Sequence, residues 1–160
     1  SVYYAALLIK GGQLSAICRR LLVIASEDIG LAYPQAAGIV YSLVQSALYV
    51  GLPEARIPIS EAVILLATAP KSNSCYKAID GALNDINSRD IGDIPDHLKD
   101  SHYYGAEKLG RGIDYKYPHD YKNHYVEQQY LPDKLKDVKY YIPGENKMER
   151  SAQNYMNSIK

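Results

Sequence analysis

The sequence predicts an all-α protein, and three observations support this fold class. The first 88 residues contain apolar positions at spacings of three and four, which is the period of an α-helix. Glycine and proline residues mark the ends of these segments. No useful alternation of apolar and polar residues, which would indicate a β-strand, occurs before residue 90. We therefore expect an antiparallel helical bundle with short turns.

The first two predicted helices are separated by a pair of glycines. Residues 2–10 are apolar and favour a helix, which Gly11 and Gly12 end. In the next segment, one face is expected to hold Leu14, Ile17, Leu21 and Ile24. Gly30 is expected to end that segment, and Pro34 suits the first turn of the helix that follows.

The third helix is predicted to run to about Val50 and to stop at Gly51. Its inward positions are predicted to be Val40, Val44, Ala47 and Leu48. The fourth, residues 59–68, follows Pro58 and ends before Pro70. Because it is apolar nearly all round, we expect it to lie at the centre of the bundle.

A fifth helix is predicted from Asn73 to about Asn87, with Ser72 as its N-cap. The side chains expected on its inner face are Cys75, Ile79, Leu83 and Ile86. Both cysteines, Cys18 and Cys75, are expected to be buried reduced thiols of a cytoplasmic protein.

The character of the sequence changes after residue 88. Residues 89–160 are predicted to form a mostly irregular wrap, rich in Tyr, Gly and Pro, with a final helix at residues 147–159. Short helical turns are expected near residues 96–99 and 105–109. We predict a single domain, residues 1–160, that consists of the helical core (1–88) and the wrap (89–160).

Charge and composition restrict the functions that can be expected. The formal net charge is zero, so any contact with nucleic acid needs a local basic patch. The apolar segments are too short to span a bilayer, and no membrane partner is predicted.

Three basic groups are candidate DNA or partner contacts: Arg19 and Arg20; Lys71, Ser72 and Asn73; and Lys108, Arg111 and Lys116. The first group has two alternatives: a solvated helix face, or a contact with an acidic partner. The second lies beside a helix N-terminus, which favours anions such as a phosphate, but simple capping of the helix by Ser72 is the favoured explanation. The third combines basic residues with tyrosines, as single-strand-binding surfaces do. Acidic residues are interspersed there, so packing of a tyrosine-rich layer is the favoured explanation.

No catalytic, metal or cofactor site is predicted within this chain. Residues 105–112 have the glycine spacing of a phosphate-binding loop, but Arg111 and Gly112 replace its lysine and its hydroxyl residue. Glu27 and Asp28 are adjacent, so on a helix they would not face one substrate. The histidines lack metal-ligand spacing; they are His97, His102, His119 and His124.

Several segments, taken in order, resemble the C-terminal region of the RarA/MgsA family of AAA+ ATPases, which are relatives of clamp-loader subunits. They are residues 19–34 (RRLLVIASEDIGLAYP), 51–55 (GLPEA), 69–74 (APKSNS), 96–99 (DHLK), 108–110 (KLG), 117–121 (YPHDY) and 127–132 (EQQYLP). The resemblance covers nearly the whole chain and implies a fold like a clamp-loader collar domain.

The resemblance further implies an oligomerisation module, tetrameric in this family. From the residues themselves we expect the interface to lie among the first helices, where the apolar surface is excessive for one bundle. ATPase and lid domains, with ATP and Mg²⁺, are expected upstream, in a DNA-dependent ATPase of replication, recombination and repair at stalled forks. Implied partners are single-stranded or forked DNA and single-strand-binding protein, with a cytoplasmic, nucleoid-associated location. The alternative is a monomeric DNA- or protein-binding module without an oligomerising role.

Overall fold

The computed structural model describes residues 1–99 and 112–160, and within these ranges it contains six α-helices and no strands. The prediction of an all-α fold is confirmed. The helices are α1 (Val2–Lys10), α2 (Leu14–Ile24), α3 (Ala36–Val50), α4 (Arg56–Thr68), α5 (Ser74–Ser88) and α6 (Lys147–Ile159).

The chain divides into two compact units. The first contains Ser1–Ala78 and Tyr141–Ala152, and the second contains Ile79–Tyr140 and Gln153–Lys160. Helices α5 and α6 each contribute residues to both units. The assignment of residues 1–160 to one domain stays a prediction.

The core of the first unit is built around α4, which contacts α1, α2 and α3. Its Ile59 and Ala62 are fully buried, as are Val40 and Ala47 of α3. Removal of these apolar side chains from water is the main favourable term in folding. Helix α4 contacts three other helices, in line with the central position predicted for it, but it is not covered all round, because Ile57 and Ile64 are more than half exposed. Leu48, expected to point inward, is half exposed on α3.

Helix α2 ends in a π-helical turn, Ala25–Ile29, and Gly30 follows with a positive φ of 46°. The Ser72 amide donates a hydrogen bond to the Asp28 carbonyl at 2.8 Å. A methyl group at Gly30 would lie 2.9 Å from the Ser72 carbonyl oxygen. The end of α2 and the loop between α4 and α5 are therefore in close contact, and only glycine fits there.

The inner face predicted for α5 is wrong. Its apolar stripe is exposed: Ile79 is 57% exposed, Leu83 47% and Ile86 55%. Cys75 is exposed too, so the expected burial is confirmed for Cys18 alone. Helical spacing identifies residues that share a face, but it does not determine what packs against that face.

Residues 89–99 and 112–146 are mostly irregular, as predicted for this part of the chain, with short 3₁₀ turns at Asp96–Leu98, Pro118–Asp120, Lys122–His124 and Asp133–Leu135. The turn expected near residues 105–109 lies outside the described residues. Tyr140 donates a hydrogen bond to Asp85 at 2.9 Å, and Lys134 pairs with Asp90. No helix in the described part of the chain is both long and apolar enough to cross a bilayer.

Candidate interaction surfaces

A buried carboxylate, Glu149 on α6, is the centre of a polar cluster in the first unit. It is 1% exposed, and its Oε1 accepts hydrogen bonds from the Ser74 hydroxyl at 2.5 Å and the Tyr141 hydroxyl at 3.0 Å. Asn146 donates to Oε2, and the Glu149 amide in turn donates to the Asn146 side chain. These groups, with Ser72, are called the Glu149 cluster below.

The Glu149 cluster holds its carboxylate in the charged form. Burial by itself raises the pKa of Glu149, but hydrogen bonds from Ser74, Ser72, Asn146 and the Gly144 amide outweigh burial and lower the pKa to about 2. At its partner, burial and the hydrogen bond to Glu149 raise the pKa of Tyr141 to about 12. Glu149 therefore carries a buried negative charge at neutral pH.

Lys71, in the loop between α4 and α5, forms hydrogen bonds to the end of α4. Its Nζ donates to the carbonyl oxygens of Leu66 at 2.9 Å and Ala69 at 2.5 Å. A lysine ammonium satisfies the free carbonyls of a helix C-terminus and interacts favourably with its dipole. Lys71 thus has a structural role in this structure.

Ser72 also has a local role, since its Oγ accepts a hydrogen bond from the Ser74 amide at 3.3 Å. Helix α5 begins at Ser74, one residue later than predicted. The predicted N-cap residue, Ser72, bonds to the first residue of this helix. The hydroxyl of Ser74, the first residue of α5, donates a hydrogen bond to Glu149. Contact of Lys71, Ser72 or Asn73 with DNA stays a prediction.

The other candidate contacts are on different parts of the chain. Arg19 and Arg20 are exposed on α2. Arg20 lines an apolar groove of about 300 Å³ with Tyr4 and Leu8 of α1. Lys116 is exposed in the second unit. Lys108 and Arg111 lie outside the described residues. DNA contact by these residues stays a prediction.

A mainly apolar groove of about 770 Å³ lies between α1 and α4 in the first unit. It is lined mainly by aliphatic side chains: Val2, Ala5, Ala6 and Ile9 of α1, and Ile57, Ile59, Ile64 and Leu65 of α4. Ile57 is 61% exposed and Ile64 51% exposed at this groove. We call it the α1–α4 groove.

Sequence reasoning missed Glu149, the most elaborately bonded side chain of the first unit. Its main partner, Ser74, lies 75 residues away in the sequence. The one local signal is Asn146 three residues earlier, in the position of an N-cap before α6. No group of three or more potential metal ligands occurs among residues 1–99 and 112–160.

Comparison with known proteins agrees with the helical fold and the segments quoted above. Residues 1–160 match the family described as MgsA AAA+ ATPase C terminal, and the chain belongs to this family. The resemblance to RarA/MgsA proteins is thereby confirmed.

Relatives occur in bacteria and in a eukaryote. The chain is 59% identical over 152 residues to replication-associated recombination protein A of Bacillus subtilis, covering 95% of this chain and 36% of that protein. Identity to the protein of the same name from Escherichia coli K12 is 35% over 148 residues, which is 92% of this chain and 33% of that one. Identity to ATPase WRNIP1 of Dictyostelium discoideum is 33% over 126 residues, which cover 78% of this chain and 14% of that protein. The chain thus spans about a third of the length of these bacterial relatives.

Proposed function

We propose that this chain is the self-association module of an AAA+ ATPase that acts in DNA replication, recombination and repair. Its role is positional: it holds several copies of the ATPase part, four in the complete assembly, around one DNA. The names of the relatives, replication-associated recombination protein A, support the DNA-related role. The α1–α4 groove is the observation that carries self-association.

The α1–α4 groove has the features of an incomplete core. Ile57 and Ile64 leave more than half of their side-chain surface in water, and both flank an aliphatic depression. Burying one isoleucine side chain stabilises by about 1.5–3 kcal/mol. On α1, Val2 also lines the groove and is 42% exposed. A second copy covering these side chains removes them from water together.

A stable contact requires more area than the groove alone. A specific interface buries at least about 1,000 Å² in total. Further apolar side chains of the first unit are available for this: Tyr3 and Tyr4 of α1, each 69% exposed, and Tyr49 of α3, 93% exposed. We expect the interface to extend from the groove across α1.

The energy-converting chemistry belongs to other parts of the parent protein in this proposal. ATP and Mg²⁺ bind upstream, and this chain supplies no catalytic group. Single-stranded or forked DNA is the substrate structure, and single-strand-binding protein is a partner. The location is cytoplasmic, at the nucleoid.

The test is sedimentation velocity on the purified chain at tens of micromolar, with a matched pair of variants. Ile57→Glu places a charge in the α1–α4 groove, so we expect a shift of the wild-type oligomer towards monomer. Ile79→Glu, which changes an isoleucine of similar exposure on α5, is expected to leave the assembly intact.

Two outcomes would contradict the proposal. One is a wild-type monomer at tens of micromolar, and the other is an oligomer that both variants leave unchanged. A monomer that binds DNA in a salt-sensitive manner would favour the alternative, a DNA-binding module without an oligomerising role.

A further inference from the structure

Two histidines of the second unit, His119 and His124, lie next to each other in the structure. Their ring centroids are 5.0 Å apart, with an angle of 51° between the ring planes. Both side chains are exposed. Spacing along the sequence did not predict this proximity, because five residues do not place two side chains on one face of a helix. We call these two residues the His119–His124 pair.

An uncommon backbone conformation produces the pair. His119 lies in the 3₁₀ turn Pro118–Asp120, and His124 is the last residue of the next turn, Lys122–His124. Asn123 and His124 both have positive φ, 58° and 54°. Residues other than glycine rarely adopt this region, which costs free energy and is concentrated at functional sites. The conformation that returns His124 to His119 is therefore a reason to look for a ligand of the pair.

The separation of the rings suits two imidazoles that bind one metal ion. A bond between zinc and a histidine nitrogen is about 2.0–2.1 Å long. Two imidazole centroids on one ion then lie about 4.5–5.2 Å apart, for nitrogen–metal–nitrogen angles from about 90° to about 109°. The observed 5.0 Å lies within this interval. Because both side chains are exposed, rotation about their side-chain bonds can direct one nitrogen of each ring to the ion.

The charges near the pair favour a cation. Residues 112–130 contain two lysines, at 116 and 122, against three acids, at 114, 120 and 127, which leaves one negative charge in excess. The Lys116 ammonium donates a hydrogen bond to the Glu127 carbonyl oxygen at 3.5 Å. Imidazole nitrogens suit zinc, nickel and copper, whereas magnesium and calcium prefer oxygen ligands. The pair therefore suits a transition-metal ion.

We propose that His119 and His124 bind a divalent transition-metal ion of the zinc, nickel or copper type. The two imidazoles supply two ligands, and water or a group of another molecule fills the remaining positions, since the described part of the chain has no group of three or more potential ligands. The bound ion links the turns Pro118–Asp120 and Lys122–His124. This site goes beyond the proposed function and depends neither on self-association nor on DNA.

The experiment is isothermal titration calorimetry of the full chain, without a histidine tag, with Zn²⁺ and with Ni²⁺. We expect one ion per chain to bind through the pair. His119→Asn and His124→Asn each remove one imidazole, and each is expected to weaken binding at least about tenfold. Asparagine is chosen because it tolerates positive φ at position 124.

The matched control is His97→Asn. His97 lies in the same unit, where its Nε2 is 2.8 Å from the Gln129 carbonyl oxygen, and it does not belong to the pair. We expect this variant to bind both ions like wild type. Cys75→Ser is a second control, because the exposed thiol of Cys75 is another possible ligand for these metals. It is also expected to retain binding.

A further arm uses Mg²⁺, for which wild type and both pair variants are expected to give the same result. Three outcomes would overturn the inference: no binding of Zn²⁺ or Ni²⁺ to wild type, wild-type affinity in the double variant His119→Asn/His124→Asn, or an equal loss of affinity in His97→Asn. Sedimentation of the metal-free samples measures self-association separately, so failure of that proposal is distinguished from failure of this one.

Discussion

At the scale of single residues, Glu149 is the side chain on which the first unit depends most clearly. A buried carboxylate without hydrogen bonds is strongly disfavoured, but Glu149 accepts from two hydroxyls and an amide. Its partners come from the first residue of α5 and from the segment before α6. Removing the carboxylate would leave these donors buried without an acceptor, which costs more than the loss of one exposed hydrogen bond.

We predict that Glu149→Gln lowers the free energy of unfolding by about 2–4 kcal/mol at pH 7. The amide retains one acceptor oxygen, but its nitrogen is a donor and must face donors such as Asn146 or Ser74. The folded pKa, about 2, lies below the ordinary value of 4.5, so the charged form stabilises the fold above pH 4.5. This contribution is lost as pH falls from 4.5 towards 2, and the difference between wild type and variant should shrink over that interval.

Urea unfolding followed by circular dichroism measures the free energy of unfolding of wild type and variant at pH 7 and over the interval from pH 4.5 towards 2. Glu145→Gln is the matched control, because Glu145 lies in the same segment with its side chain 95% exposed. It is expected to change the free energy of unfolding by less than about 0.5 kcal/mol. Equal stability of Glu149→Gln and wild type at pH 7 would refute the role assigned to the Glu149 cluster.

At the scale of secondary-structure elements, the junction between α2 and the α4–α5 loop determines how closely the helices approach. Gly30 has φ 46° and ψ −131°, a conformation open almost only to glycine. Its Cα faces the Ser72 carbonyl oxygen, a backbone atom that cannot rotate away. Gly38, in contrast, lies within α3 with open space around the position of a Cβ.

These two glycines give opposite predictions for the same substitution. Gly30→Ala combines backbone strain with a steric clash, so we expect destabilisation by at least about 2 kcal/mol. Gly38→Ala is expected to stabilise by about 0.5–1 kcal/mol, since alanine favours a helix more than glycine does. Thermal unfolding of the two variants measures whether each substitution raises or lowers the stability. Similar changes in both would show that the close approach at Gly30 is absent in solution.

At the scale of the whole molecule, self-association and stability are linked in our proposal. An assembly that binds folded copies and not unfolded ones stabilises the fold by mass action. In this proposal the linkage acts through the α1–α4 groove, whose exposed isoleucines would be removed from water when copies meet.

We therefore predict that the thermal unfolding midpoint rises with protein concentration, by about 3 °C for each tenfold increase. Differential scanning fluorimetry over a concentration series measures this dependence. Ile57→Glu is expected to abolish the dependence and Ile79→Glu to retain it. A midpoint independent of concentration in the wild type would contradict the linkage.

The amino-acid sequence by itself determined the helical class and most helix positions. Local interactions decide these features: α1 ends at Gly11 and α4 before Pro70, because a glycine pair and a proline stop a helix whatever surrounds it. The final helix, Lys147–Ile159, has the bounds predicted from its local pattern. The quoted segments also identified the family.

Only the tertiary structure decided which faces are covered and which polar groups meet. The stripe of Ile79, Leu83 and Ile86 has the spacing of a buried face and is exposed, since periodicity contains no information about a packing partner. Lys71 bonds to the end of α4, and Glu149 reaches Ser74 across 75 residues of sequence. Such contacts depend on distances that arise only when the helices pack, so residue spacing along the chain could not reveal them.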